Sequence, residues 1–188
     1  MIIGLHGHKR VGKDTVYEII RSSYPHAIRL AFADKIKESL AALFGVSMRE
    51  IDTLKEEGGM FKVESQSFEH SYSWRTFAQR YGTEAHRELF GDNFWVDMTL
   101  PFDSGNDWWD DSKQLVIVTD VRFKNEAQRI SDLGGHIIHL VRTELDKNDI
   151  HISEEPLPSE YISYIIHNDS SLEDLRDKAL EVVGQLVR

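Results

Sequence analysis

The sequence predicts an α/β protein with a parallel sheet of about five strands that is covered by helices. Short apolar runs of strand length alternate along the chain with segments of helical periodicity. The strongest strand signal, Leu115–Thr119, is apolar on both faces, as expected for a central parallel strand. An N-terminal strand, a glycine-containing turn and a helix follow one another directly at the start of the chain.

The first of these elements is a buried strand at Ile2–His6, which is too short for a helix. A turn at Gly7–Gly12 leads to a helix at Lys13–Ser23, and Pro25 ends that segment. The next predictions are a strand at Ala27–Ala31, a helix capped by Asp34 and ended by Gly45, a short helix with a capping box of Ser47 and Glu50, a loop at Gly58–Ser73, and helices at Ser73–Tyr81 and Thr83–Phe90, ended by Gly82 and Gly91.

The C-terminal half continues the alternation of strands and helices after a polar loop at Pro101–Asp111. The predicted elements are a helix at Asn125–Leu133 stopped by Gly134-Gly135, strands at His136–Val141 and Tyr161–Ile166, and a last helix capped by Ser171. No internal repeat or linker is visible, so a single domain is expected over 1–188.

Composition excludes several classes of protein. The chain has 188 residues, no cysteine and a formal net charge of -10. Without cysteine there is no disulfide scaffold, thiolate zinc site or catalytic thiol. No apolar run approaches the ~20 residues that span a bilayer, and no secretory signal is visible, so a soluble cytoplasmic protein is expected. The acidic charge argues against a broad nucleic-acid surface, which requires excess cations.

The decisive motif is a phosphate-binding loop at Gly7–Thr15. It has the pattern G-x-x-x-x-G-K and lies between a predicted strand and a predicted helix. Glycines allow backbone N–H groups to surround a phosphate, and the helix contributes its positive N-terminal end. Lys13 is expected to reach the β and γ phosphates. A glycine-rich turn with an exposed lysine is the simpler alternative.

One position departs from the usual pattern, in which Ser or Thr follows the lysine and holds Mg²⁺. Asp14 stands there, and Thr15 comes next. Either residue is a candidate for the metal or its waters, and the sequence does not distinguish them. A third candidate is Asp120, which follows Leu115–Thr119, and capping of the next turn is its alternative.

Further cations suggest a phosphorylated second substrate. Arg75, Arg80 and Arg87 lie around one helix–turn–helix. Arg122 and Arg142 come at the ends of two predicted strands, and such ends share one edge of a parallel sheet with the phosphate loop. Arginines at this edge suit a second phosphate and the charge on a transferring phosphoryl group. For Arg80, a surface ion pair is equally expected.

Together these segments resemble the P-loop nucleoside monophosphate kinases, and specifically the bacteriophage deoxynucleoside monophosphate kinases of the T-even type. The segments that carry the resemblance are Gly7–Thr15, the block from Arg75 to Trp95, Val118–Glu126, Gly134-Gly135 and Ile166–Ser170. The resemblance implies a P-loop kinase fold in which ATP phosphorylates a deoxynucleoside 5′-monophosphate. It also makes Asp14 normal for the group and suggests a homodimer.

Roles for individual residues follow from this resemblance. The ATP site would comprise Gly7, Arg10, Val11, Gly12, Lys13, Asp14, Thr15 and Asn168, with Mg²⁺ at Asp14, Thr15 or Asp120. The acceptor would contact Arg75, Arg87, Arg122 and Phe32, and the catalytic groups would be Lys13, Arg122, Arg142 and Asp120. Residues 34–100 would bind the monophosphate, and residues 142–160 would form a lid that excludes water.

Several alternatives remain at the level of sequence. Kinases of dephospho-coenzyme A or phosphomevalonate share a similar loop, and a non-catalytic nucleotide switch would also use one, although a guanine-selective N-K-x-D segment is absent. The nine histidines show no metal-binding spacing. Trp108 and Trp109 are expected to anchor a loop, and Phe32 and Phe68 are candidates for base stacking or core packing.

Overall fold

A computed structural model of the chain describes residues 1–64, 69–100, 114–143 and 157–187. Its contacts divide the chain into two units: Met1–Ala31 together with Leu100–Arg188, and Phe32–Thr99. None of the helices in the described ranges has the length and apolar character needed to cross a bilayer.

The elements, in chain order, are β1 (Ile2–His6), α1 (Lys13–Ser23), β2 (Ile28–Leu30), α2 (Phe32–Phe44), α3 (Met48–Glu56), β3 (Met60–Glu64), β4 (Glu69–Ser73), α4 (Trp74–Gly82), a π turn (Thr83–Arg87), α5 (Glu88–Phe90), α6 (Phe94–Thr99), β5 (Val116–Val121), α7 (Lys124–Asp132), β6 (His136–Val141), a 3-10 turn (Ser159–Tyr161), β7 (Tyr164–His167) and α8 (Leu172–Leu186).

The first unit is built on a five-stranded sheet with the order β2-β5-β1-β6-β7. Every adjacent pair in this sheet is parallel. Strands β1 and β5 are central and almost completely buried, as their continuous apolar runs predict. The predicted α/β fold class with about five parallel strands is therefore confirmed.

Helices cover both faces of this sheet. Alternate residues of β1 point to opposite faces: Ile3 and Leu5 pack in one core cluster with side chains of α1 and α8. On the other face a Cβ added to Gly4 would lie 2.9 Å from Ile130 Cδ1 of α7. A larger residue at position 4 would therefore require the Ile130 side chain to shift.

The second unit has a separate small core between α2, α3 and α4. Its buried residues are Leu40, Ala41, Ile51, Trp74 and Ala78. The predicted capping box at the start of α3 is present, because the Glu50 N–H donates to Ser47 Oγ and Glu50 Oε2 accepts from the Ser47 N–H. Gly45, at φ 66°, ends α2 as predicted.

The predicted loop at Gly58–Ser73 is wrong where the chain forms β3 and β4. β3 and β4 pair there as an antiparallel ladder with Met60 opposite Ser73. The signal was weak because only Phe61–Glu64 alternates apolar and polar residues, which is shorter than a typical strand pattern. Backbone pairing between the two strands, rather than side-chain periodicity, forms this hairpin.

Three predicted helix and strand boundaries are also wrong. α2 begins at Phe32, so Asp34 lies in its first turn and is not the cap. Gly82 is the last residue of α4, but it does not stop the helical segment, which continues directly into the π turn. Residues 159–161 form a 3-10 turn, and only Tyr164–His167 joins the sheet. The helix α6 had no counterpart in the prediction.

Candidate active site

The phosphate loop connects β1 to α1 and depends on its two glycines. Gly7 has φ 143°, and a Cβ there would lie 2.5 Å from Leu140 O; Gly12 has φ 106°, and a Cβ would lie 2.7 Å from Asn168 Nδ2. Arg10 also has a positive φ, of 66°. The G-x-x-x-x-G spacing therefore corresponds to two points where the backbone is both left-handed and closely approached.

Polar contacts hold the loop in this shape. Lys13 Nζ donates to Gly7 O at 2.6 Å and to His8 O at 2.9 Å. Asn168 Nδ2 donates to Val11 O at 2.9 Å. Asn168 comes directly after β7, 157 residues further along the chain. The tertiary fold thus brings together Asn168 and the loop, which were both predicted to bind ATP.

The loop passes into α1, whose first turn contains the two predicted metal-binding residues. Gly12 is the N-cap and Lys13 is the first helical residue. Asp14 and Thr15 follow and are exposed. The amide dipoles of α1 make this end positive, which favours bound anions.

The parallel sheet places further predicted residues at the same edge as the loop. Because β1, β5 and β6 run in one direction, Gly7, Arg122 and Arg142 each follow a strand at its carboxyl end. Arg122 is half-buried and Arg142 is exposed. The sequence predicted that Asp120 comes directly after the strand. In the structure it is instead the penultimate residue of β5.

Glu126 is a residue of this edge that the sequence-based site did not include. Its side chain is buried, and Oε2 accepts hydrogen bonds from the Arg122 N–H at 2.7 Å and the Phe123 N–H at 3.0 Å. A buried carboxylate that receives two backbone donors fixes the turn between β5 and α7. Its presence in the segment Val118–Glu126 was the available signal.

Asp169 makes a similar contact at the neighbouring strand ends. Its carboxylate accepts from the Thr143 N–H at 2.6 Å and from Thr143 Oγ1 at 2.9 Å. The Thr143 N–H and hydroxyl hold the pKa of the Asp169 carboxyl below its usual value, and His167 and Arg142 act in the same direction. This contact ties the turn after β6, which contains Arg142, to the turn after β7.

Two histidines, His6 and His139, are paired neighbours on β1 and β6 close to the phosphate loop. His6 Nδ1 donates to Val121 O at 2.9 Å, and the Leu157 N–H donates to His6 Nε2 at 3.4 Å, so the hydrogen is assigned to Nδ1. The His6 and His139 rings lie 4.8 Å apart. Burial, followed by the neighbouring His6, His8, His167 and Lys13, lowers the pKa of His139 to about 4. This ring is therefore neutral at pH 7.

The second unit contains the remaining predicted substrate-binding residues. Phe32 is buried at the start of α2, Arg75 is exposed on α4, and Arg87 is half-buried at the end of the π turn. Arg80 Nε donates to both oxygens of Glu84, at 2.9 and 2.8 Å, so the ion pair considered for Arg80 is present.

Other predictions concern residues outside the described ranges. These are most of the lid at 142–160, the pair Trp108 and Trp109, and Phe68. Within the described part of the chain, no cluster of three or more His, Asp or Glu side chains forms a ready metal site. Mg²⁺ in phosphoryl-transfer enzymes needs only one or two protein oxygens, with waters and substrate phosphates, so Asp14, Thr15 and Asp120 fit that chemistry.

Comparison with known proteins identifies the family. The profile of the family described as deoxynucleotide monophosphate kinase matches residues 48–179, more than half of the chain. This match begins after the phosphate loop, so the loop is an independent observation.

Individual relatives cover nearly the whole chain. The deoxynucleotide monophosphate kinase of Enterobacteria phage T4 is 27% identical, with 94% of this chain and 96% of that protein aligned. The deoxynucleoside-5′-monophosphate kinase of Escherichia phage T5 is 24% identical, with 89% of each protein aligned. The solved structure of dephospho-CoA kinase from Campylobacter jejuni aligns with a TM-score of 0.46 and 13% identity, over 99% of this chain and 96% of that one. The chain belongs to the deoxynucleotide monophosphate kinase family, and it is a nucleotide kinase.

Proposed function

We propose that this chain transfers the γ-phosphoryl group of ATP to a deoxynucleoside 5′-monophosphate. An oxygen of the acceptor phosphate attacks Pγ in line, the bond between Pγ and the bridging oxygen breaks, and ADP leaves. The products are ADP and a deoxynucleoside diphosphate. The observation that carries this proposal is the phosphate loop at the carboxyl edge of the sheet, in a chain of this kinase family.

The donor site is proposed to lie on the loop and the start of α1. Backbone N–H groups from Gly7 to Gly12, including those of Arg10 and Val11, would receive the phosphates. Lys13 would exchange its contacts with Gly7 O and His8 O for contacts with phosphate oxygens. Asn168 supports this arrangement through its hydrogen bond to Val11 O.

Mg²⁺ is the proposed cofactor. Asp14, Thr15 and Asp120 are the residues that would hold it or its waters. Bound Mg²⁺ neutralises charge on the phosphate oxygens. The chain itself supplies oxygen ligands in the first turn of α1 and near the carboxyl end of β5, which supports this assignment.

The acceptor monophosphate is proposed to contact arginines. Arg122 is held by the Glu126 contact at the loop edge, and Arg142 lies at the end of the next strand. Arg75 and Arg87 of the second unit are proposed to bind the acceptor phosphate, and Phe32 its base. Because a phosphate is already anionic, the reaction requires orientation and cations rather than a general base.

The larger organisation belongs to the same proposal. Residues 1–188 would form one kinase domain, in which 34–100 bind the monophosphate and 142–160 form a lid. A homodimer in the cytoplasm, with no nucleic-acid partner, is the proposed working form.

A coupled assay of ADP release tests this proposal. The wild-type chain is measured with Mg²⁺-ATP against a panel of deoxynucleoside and ribonucleoside monophosphates and dephospho-coenzyme A. Turnover of at least one deoxynucleotide is expected, and Lys13→Met should lower kcat by about 10²–10³-fold, as for the loss of one charge-stabilising donor. If dephospho-coenzyme A were the only acceptor turned over, the proposed deoxynucleotide acceptor would be wrong. Full activity of Lys13→Met would overturn the assignment of the ATP phosphates to the phosphate loop.

A further inference from the structure

One turn in the long helical segment of the second unit is wider than the others. α4 continues directly into the π turn at Thr83–Arg87, where the Glu88 N–H donates to Thr83 O, five residues back. π turns are rare and often occur at functional sites. The change from four-residue to five-residue spacing shifts which carbonyl each backbone N–H reaches, so the hydrogen bonding at the junction differs from that of a regular α-helix.

Two side chains supply donors at this junction. His86 Nδ1 lies 2.7 Å from Tyr81 O, and since a carbonyl only accepts, the ring donates. Trp95 Nε1 donates to Gly82 O at 2.9 Å. The two carbonyls are consecutive and immediately precede the π turn. Trp95 comes from α6, so its bond joins the turn to a second helix of the same unit.

Ring packing fixes the orientation of these donors. The His86 ring lies 4.8 Å from the Trp95 ring and 4.4 Å from the Tyr81 ring, with Phe94 at 5.4 Å. Trp95 is 3% exposed. A buried Trp usually places its N–H on an acceptor, and here that acceptor is the backbone of the turn.

The wide turn changes which face of the helix Arg87 occupies. Arg75 and Arg87 are twelve positions apart, and in an uninterrupted α-helix this spacing would rotate them about 120° from each other. The π turn absorbs one residue, so the effective spacing is eleven, or three turns, and the rotation falls to about 20°. Both arginines therefore lie along one stripe of the segment.

We propose that His86 and Trp95 are positioning residues for the acceptor phosphate. Their ring N–H groups stabilise the π turn, and the π turn places Arg87 on the face that carries Arg75. This inference rests on the proposed binding of the acceptor by these two arginines. His86 and Trp95 act through Arg87 and need not touch the substrate.

Kinetics of matched variants test the proposal. KM for a deoxynucleoside monophosphate and KM for ATP are measured for His86→Asn and His86→Gln. Asn places its amide N–H where Nδ1 stands, whereas Gln places it near the position of Nε2. The Gln variant should raise the acceptor KM about three- to tenfold, the range of one hydrogen bond, with ATP KM changed less than about twofold. The Asn variant should stay near wild type.

A double-mutant cycle shows whether His86 acts through Arg87. Arg87→Ala should raise the acceptor KM, and adding His86→Gln to it should raise this KM by less than about twofold. Equal effects of the Asn and Gln variants, equal shifts of both KM values, or an undiminished effect of His86→Gln beside Arg87→Ala would each overturn the proposal.

Trp95→Phe tests the second donor while keeping most of the ring volume. It should raise the acceptor KM selectively, and it keeps the proposal testable if a His86 variant does not fold. An unchanged acceptor KM in Arg87→Ala would overturn the inference while leaving the kinase function intact. Absence of turnover with every deoxynucleotide would overturn the proposed function and the positioning inference together.

Discussion

The phosphate loop of the first unit and the π turn of the second depart from regular backbone geometry in different ways. In the loop, Gly7 and Gly12 adopt positive φ where other backbone or side-chain atoms leave no space for a Cβ. The first and last residues of the π turn, Thr83 and Arg87, keep right-handed helical angles, and side-chain donors from His86 and Trp95 reach the two carbonyls before the turn. The first region depends on residues that lack a side chain, and the second depends on two large rings.

This difference explains why the phosphate loop was predicted from the sequence and the π turn was not. Two glycines at fixed spacing before a lysine form a local pattern with a known physical reason. A π turn has no such pattern, since Thr83–Arg87 contains ordinary helix-compatible residues. Its stabilising partner Trp95 is contributed by another helix and becomes visible only in three dimensions.

The largest effect is expected from Gly7→Ala in the phosphate loop. The added Cβ would lie 2.5 Å from the backbone atom Leu140 O, which has little freedom to move, and φ is 143°. We expect a loss of about 3 kcal/mol or more in the free energy of unfolding, together with loss of ATP binding. Denaturant unfolding and nucleotide titration measure these changes.

Gly134→Ala is the matched control for this variant. Gly134 also has a positive φ, of 71°, but no atom lies within 4 Å of an added Cβ. It should cost only about 1–2 kcal/mol, the backbone penalty alone. Similar losses of unfolding free energy in both variants would show that the close approach of Leu140 O to Gly7 adds nothing to the backbone penalty.

An intermediate effect on stability is expected from His139 of β6. The folded-state pKa of His139 is about 4, below the ordinary value of 6.5. Between these values the unfolded chain binds more protons, so stability should fall as pH decreases through this window and stay constant above it. His139→Gln should remove roughly 1 kcal/mol of the wild-type loss between pH 6.5 and 5, after allowance for solvent screening.

Chemical unfolding at several pH values measures this slope, and His26→Gln at an exposed position is the control. An identical slope for wild type and His139→Gln would contradict the assigned pKa. The groups that lower the pKa of His139 all belong to the first unit.

The smallest effect is expected from Gly82→Ala, next to the π turn. The new Cβ would lie 2.7 Å from Ile36 Cδ1, the flexible end of a side chain, and φ is an ordinary -68°. The gain in helix propensity offsets part of the clash, so the net loss should be about 1 kcal/mol or less. Thermal unfolding measures it.

Gly184→Ala in α8 serves as its control. No atom lies within 4 Å of an added Cβ there, so this variant should gain about 0.4–1 kcal/mol. A loss at Gly82 comparable to that of Gly7→Ala would mean that the second unit is packed as rigidly as the loop.

Much of the fold was predictable because its signals are local. The buried strands of the first unit are continuous apolar runs, and the caps at Ser47 and Ser171 are short polar patterns. The hairpin of β3 and β4 was missed because pairing between strands, rather than periodicity within one strand, forms it. Gly82 was interpreted as a stop, whereas its role is the close approach of Ile36.

The sequence alone determined the fold class, the phosphate loop and the kinase family, because strand runs, glycine spacing and the lysine that follows are properties of adjacent residues. Tertiary structure decided which distant residues support that loop and its edge: Asn168 on Val11, Glu126 on the Arg122 backbone, and Asp169 on Thr143. These contacts depend on the parallel sheet, which brings the carboxyl ends of separate strands to one edge. The proposed rotation of Arg87 by the π turn likewise depends on contacts that form only in the folded chain, those of His86 with Tyr81 O and of Trp95 with Gly82 O.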